Sequence, residues 1–335
     1  MKVSKAAENR RLERQRADGV EPRLQLASPD RPLLSCAESL HDDQLVAKLS
    51  ECGIKIDRER LGKVVKQFPS AESMMHWLLK EDHVAQVTED VENWCWVCLS
   101  TLWRRWFPEH PNFERLDEWI QDGFVARSRL GTDAACAIWM RAWLSIAVLL
   151  EAFRFDSIED FDHCFAGTTG IEEWLPVFVD ALGSAAMDGV EWAALRLAVS
   201  EQAIRLHEDL DRPDQDLLTK LRLALAQSHF DLGNIELAER WFSAAARESS
   251  QPELCYLACA HAFLAKTAWR HSTKAEVAAR RGLKSARPGQ RTDLLNVLIG
   301  VCDAAGRTDE MAALRQQLAV DQAMAPPTAA SARAA

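Results

Sequence analysis

The sequence predicts an all-α fold: stacked helical hairpins preceded by a smaller N-terminal helical unit, with disordered ends. Three observations predict it. Glycine and proline are scarce, 14 and 12 in 335 residues, which disfavours a turn-rich β fold. Apolar residues recur at three- and four-residue spacing from Ser35 onward, the period of a helix with one buried face. Two glycine turns, at Gly233 and Gly306, stand close to two hairpin repeats apart, the signature of an array of supersecondary units.

Residues 1–35 are charged and poor in large apolar side chains. Arg10, Arg11, Arg14 and Arg16 are followed by Pro22, Pro29 and Pro32. Such a segment buries too little surface to offset its ordering entropy, so a disordered arm is expected, with a transient helix at most over Ala6–Arg16. Residues 36–88 form the N-terminal helical unit. Leu40, Leu45 and Leu49 mark one helix, and Gly53–Ile56 breaks it. Asp57 suits the N-cap of the next helix, which carries Leu61, Val64, Val65 and Phe68 until Pro69 stops it. Ser70 suits the cap of a third, Ala71–Lys80, with Met74, Trp77 and Leu78 on one face.

Residues 89–212 are tryptophan-rich. Asn93–Phe124 alone holds five of the twelve tryptophans. Trp94, Cys98, Leu102 and Trp106 step by four, which predicts a single buried stripe. Pro108 ends that helix near Phe107. Leu116, Trp119 and Ile120 give the next helix, Phe113–Gly123, an apolar face, with Gly123 as its C-terminal cap. Thr132 or Asp133 opens a helix carrying Cys136, Ile138, Trp139, Trp143 and Leu144. Helices over Ile158–Phe165, Glu172–Leu182 and Glu191–Asp209 follow.

Residues 213–320 carry the clearest internal order. Phe230–Phe242 reads as helix, tight Gly233-Asn234 turn, helix. Gly233, Ala238, Phe242 and Ala245 fit the tetratricopeptide spacing. The pattern returns weakly at Ala275, Ala279 and Gly282, where Trp269–Ser272 replaces the turn glycine, and again at Gly306–Met311. A tetratricopeptide-like α-solenoid of two to three degenerate hairpins is expected here. The alanine-rich tail 321–335 is expected to be disordered.

Several of these stretches together resemble the SEC-C motif proteins of bacteria and plants. They are Gly53-Ile54, Ser70-Ala71, Leu102–Glu109, Leu116-Asp117, Gly123-Phe124, Trp139, Asp160–Asp162, Phe165–Gly167 and Trp174. The similarity runs over about residues 40–318 and is tightest at Leu102–Glu109. The resemblance implies a helical-repeat body with a binding role. Those proteins usually end in a short cysteine-rich zinc motif. No cysteine follows Cys302 here, so no zinc site carries over.

Charge and chemistry narrow the function further. The formal charge of −10 and pI near 5.5 give no global attraction for nucleic acid or anionic lipid, so either would need a local basic patch. The polar N-terminus lacks a secretory h-region, no run of about 18 uninterrupted apolar residues is present, and nine scattered cysteines suit a reducing, cytoplasmic setting. Cys95 and Cys98 form a CxxC, but within a helical pattern and without a second ligand pair, so core packing is expected rather than zinc or redox chemistry. Asp160, Asp162 and His163 set carboxylates beside an imidazole, the raw material of a metal-dependent enzyme; the competing reading is a polar helix start. Trp103, Arg104, Arg105 and Trp106 can be read as a base-stacking surface. Their helical spacing favours a structural clamp instead, with the arginines meeting Glu109, Glu114 or Asp117 around the proline corner.

The expected function is therefore a non-enzymatic scaffold, without cofactor or metal, that holds a peptide or partner helix in a groove of the repeats. Arg222, Gln227, His229 and His261, on first helices of the hairpins, are the expected groove residues. Nucleic-acid binding through the basic arm and Arg104/Arg105, or an enzyme around Asp160, Asp162 and His163, are the alternatives.

Overall fold

The structure, a computed structural model, describes residues 4–17, 32–208, 210, 213–265, 272–287 and 290–324. Every regular element among the described residues is a helix. The chain divides into two units, Met1–Ala181 and Leu182–Ala335.

The first unit begins with α1 (Lys5–Ala17), α2 (Leu34–Glu38), α3 (Asp42–Glu51), α4 (Arg58–Val64) and α5 (Ala71–Glu81). The expected caps form: the Asp57 side chain accepts from the Arg60 N–H and the Ser70 side chain from the Ser73 N–H. The next helix, α6 (Glu89–Trp106), is the hub. Thr88 caps it, Phe107 ends it, and α2, α3 and α5 pack around it. Every residue from Cys95 to Trp103 is buried. The single stripe expected from four-residue steps is therefore wrong in kind. Trp94 and Trp106, its two ends, are only partly buried, whereas Trp96 and Trp103 are fully enclosed. A helix surrounded on all sides has no polar face for a periodicity to reveal.

The helix α7 (Phe113–Arg129) does not stop at Gly123. It runs one and a half turns further because Gly123 is a contact position: a Cβ there would lie 2.0 Å from Nε1 of Trp139. Trp139 sits on α8 (Thr132–Phe153), is fully buried, and donates its indole N–H to the Ile120 carbonyl at 2.9 Å. Rings of Phe124, Trp174 and Phe178 surround it, with centroids 5.2–6.5 Å away. Phe113, Phe155, Phe161 and Phe165 form a second ring cluster beside α9 (Ile158–Phe165). The unit closes on α10 (Ile171–Ala185), whose residues up to Ala181 belong to it. Among the described residues α8 is the one helix with the length and hydropathy of a membrane span, averaging 1.6 over its most apolar window. Its Cys136, Trp139, Trp143, Ile146 and Leu149 face is nevertheless buried in the unit.

The expectation of a disordered arm over 1–35 does not hold for Lys5–Ala17. The α1 helix docks on α7 through polar contacts that a hydrophobicity argument overlooks. Arg10 Nε lies 2.6 Å from the buried Asp117 carboxylate, which also accepts from the Thr168 N–H at 2.7 Å. Arg14 donates to Gln121 at 2.8 Å and Lys5 to Asn93 at 3.1 Å. Ala6, Ala7 and Leu12 supply the small apolar face. Residues 18–31 lie outside the described residues.

The second unit comprises α11 (Val190–Glu208), α12 (Gln215–Asp231), α13 (Ile235–Glu248), α14 (Pro252–Ala265), α15 (Ser272–Ser285), α16 (Thr292–Ala304) and α17 (Thr308–Met324). Each packs against the next in sequence, and α12 touches α14 as α14 touches α16. Gly233 and Gly306 take φ of +82° and +68° between their helices, the left-handed geometry that glycine adopts without penalty. Ala226, Ala238, Phe242, Phe263, Ala275 and Leu298 belong to one continuous core. The expected turn at Trp269–Ser272 lies outside the described residues up to residue 271. The expected disordered tail is helical through Met324, and 325–335 lie outside the described residues.

Candidate functional site

The second unit opens a cleft of about 910 Å³ between α13 and α15, floored by α14. Because α12, α14 and α16 close on one another, the opening falls between the second helices of the hairpins. Its floor is apolar: Phe242 and Phe263 are buried and Tyr256 is half-buried. On the α15 wall Val277 is 45% exposed.

Cations line both walls. Arg240 and Arg247 stand seven residues apart on α13, and Lys274 and Arg281 seven apart on α15. Seven residues are two helical turns, about 10 Å, so each wall presents its two cations on the same face. Lys274 is taken up by Glu239 at 2.8 Å and lies over the Phe263 ring at 5.7 Å. Arg240, Arg247 and Arg281 have no ion-pair partner among the described residues. Glu236 is the other acid on the rim.

None of the four expected groove residues lines this cleft. Arg222 is buried and bridges two helices, 2.7 Å from Glu208 and 2.5 Å from Glu248. Gln227 donates to Asp231 at 3.1 Å. His229 is buried, and burial pushes its imidazole pKa down, against a smaller opposing effect of Glu201. His261 alone is exposed. Arg222 and His229 lie on a face of α12 turned into the core, and His261 on α14 is exposed outside the lining of this cleft. The seven-residue arginine spacing on α13 was in the sequence and would have pointed to the cleft.

The Trp-Arg-Arg-Trp clamp exists with other partners. Trp103 donates to the His110 carbonyl at 2.9 Å, tying the proline corner to α6. Arg104 meets Glu38 at 2.6 Å and Glu118 at 3.4 Å. Arg105 meets Asp42 and the Leu40 and Glu38 carbonyls, each at 2.8 Å. Trp106 also donates to Asp42, at 2.6 Å. These hydrogen bonds, the one from Arg105 first, hold the Asp42 carboxyl below the usual carboxylate range. The expected acids are engaged elsewhere. Glu114 accepts from the Ala71 and Glu72 N–H groups at the start of α5, Asp117 holds Arg10, and Glu109 is exposed, 3.8 Å from His110. A second cleft, of about 540 Å³, borders Trp103 and Arg104. Its arginines Arg10, Arg104 and Arg115 are all paired to acids, so it presents no free cation.

Of the remaining candidates, Cys95, Cys98 and Asp162 are held within the packed helices. Cys95 and Cys98 are buried in α6, and burial pushes the Cys98 thiol up to about 12. A hydrogen bond from Cys95 lowers the pKa of half-buried Cys52 and raises that of Cys95 itself. Asp162 accepts from the Ile171 N–H at 2.7 Å, at the start of α10, and burial raises its carboxyl. Asp160 and His163 are exposed. Among the described residues no three His, Cys, Asp or Glu side chains are grouped to hold a metal ion. No family model matches the chain, and no curated protein or solved structure is significantly similar to it.

Proposed function

We propose that this chain is a non-enzymatic interaction scaffold. In this reading the second unit is a tetratricopeptide-like stack of degenerate hairpins, and the cleft between α13 and α15 holds a peptide or partner helix. The observation that carries the reading is the cleft itself: an open groove with an aromatic floor, an exposed valine and three arginines without partners. Unsatisfied cations beside accessible apolar surface are what a polar-rimmed protein interface requires. The left-handed glycine turns at Gly233 and Gly306 support the repeat reading, and the similarity to SEC-C motif proteins belongs to the same proposal. A reducing, cytoplasmic setting suits the free thiols. Of the residues offered for nucleic acid, Arg104, Arg105, Arg10 and Arg14 are engaged within the first unit, which leaves Arg11 exposed and favours the cleft as the binding surface.

The test is to pan a random 12-residue display library on the full chain and on Val277→Trp, which fills the cleft from an exposed position. Peptides retained by the parent and lost on the variant, with the melting temperature unchanged, are expected. Binders indifferent to Val277→Trp, or none at all, refute the reading.

A further inference from the structure

We propose that the occupant of the cleft is an acidic, extended segment of another protein, carrying carboxylates about three residues apart and an apolar side chain between them. The inference rests on the reading of the cleft as a peptide site and names its ligand class.

Charge complementarity carries the argument. The chain as a whole is acidic, −10, yet the cleft gathers Arg240, Arg247, Lys274 and Arg281 around one groove. Three of the four lack a partner among the described residues. The remaining rim acid, Glu236, cannot neutralise three guanidinium groups. At physiological salt a charge is felt over about 8 Å. A bound segment therefore experiences these arginines and little of the distant acidic surface. Screening resolves the apparent conflict between an acidic protein and an acidic ligand.

Spacing sets the form of the ligand. The two unpartnered cations of the α13 wall, Arg240 and Arg247, are two helical turns apart, about 10 Å. An extended chain advances about 3.3 Å per residue, so acids three residues apart match that separation. Guanidinium groups, as at Arg240, Arg247 and Arg281, grip carboxylates with two parallel hydrogen bonds, while Lys274 is held by Glu239. Between the two rows, Val277 and Tyr256 offer an apolar seat for one intervening side chain.

The experiment uses the full chain and the 12-residue library described above, with the Val277→Trp-sensitive binders sequenced. Expected are net-negative peptides enriched in Asp and Glu. Their binding should weaken roughly tenfold or more in the doubly substituted Arg240→Glu/Arg281→Glu protein and with rising salt. It should persist in Arg11→Glu, an exposed arginine of α1. Circular dichroism and melting of the double variant verify its fold, since both arginines are exposed. Sensitive binders that are neutral or basic overturn the acidic ligand but leave the peptide-holding reading intact. An absence of sensitive binders overturns both. A 12-nucleotide single strand that displaces the selected peptides and depends on the same arginines overturns the proposal in favour of nucleic acid.

Discussion

Replacing Gly123 with alanine sets two opposed effects against each other. In a helix interior alanine is favoured over glycine by about 1 kcal/mol, and Gly123 lies well inside α7. The added methyl, however, would stand 2.0–2.5 Å from three atoms of the Trp139 indole. That ring cannot step aside. It is fully buried, ringed by Phe124, Trp174 and Phe178, and anchored by its hydrogen bond to Ile120. Overpacking of this kind costs about 1–3 kcal/mol, and displacing the indole N–H from its acceptor about 1 kcal/mol more. Clash outweighs propensity, leaving a net loss of about 2 kcal/mol. For a unit of this size that lowers the melting temperature by roughly 4–8 °C. Nine of the twelve tryptophans lie in the first unit, so intrinsic fluorescence during urea or thermal unfolding reports mainly on it. Ser128→Ala, an exposed position on the same helix, is the control and should be near neutral. A Gly123→Ala protein as stable as the parent, or more so, would falsify the close-approach account.

The turn glycines invert that logic: nothing lies within 4 Å of a Cβ added at Gly233 or Gly306. Alanine there should cost only the left-handed penalty, about 1 kcal/mol, with the second unit losing stability; two neutral substitutions would exclude a conformational role. Arg10→Ala leaves the enclosed Asp117 carboxylate without its cation and should destabilise the first unit by about 3 kcal/mol; an unchanged urea midpoint would mean that α1 is not docked in solution. His229 has its pKa lowered from 6.5 by burial. The unfolded chain therefore takes up a proton before the folded one, and stability falls as pH drops below 6.5 towards the folded value. His229→Gln should flatten that slope in pH-dependent melting, and an identical slope would refute the assignment. Cys52 should be alkylated faster near pH 7 in the parent than in Cys95→Ala, because the Cys95 hydrogen bond that lowers its pKa is gone; equal rates would remove that bond from the account.

What could be read from the sequence divides along physical lines. Local signals were legible: Asp57 and Ser70 at their helix starts, the stop at Phe107 before Pro108, and the left-handed turn at Gly233 all act within a few residues. Signals that need a distant partner were not. Gly123 looks like a cap until Trp139 is seen against it. Arg104 and Arg105 reach Glu38 and Asp42, more than sixty positions upstream, past the nearer acids Glu109, Glu114 and Asp117. The α1 helix has too little apolar surface to be foreseen as ordered; Asp117 and Gln121 hold it. Periodicity finds one face of a helix, so it misjudges α6, whose Cys95–Trp103 stretch is enclosed, and it does not reveal that Arg222 and His229 of α12 are buried.

The partnership between Arg10 and Asp117 has a consequence for how the protein is made. Its two members are separated by 107 residues, which a ribosome adds in roughly 5–20 s. The α1 helix therefore cannot form this ion pair during that interval, although the partners of Lys5, Glu72 and Asn93, are made sooner. Thr168, the other donor to the same carboxylate, arrives later still. Full docking of α1 waits for Asp117 and Gln121, in the second half of its unit. Its wealth of arginine and glutamate, and its poverty of large apolar side chains, suit a segment whose docking is completed late.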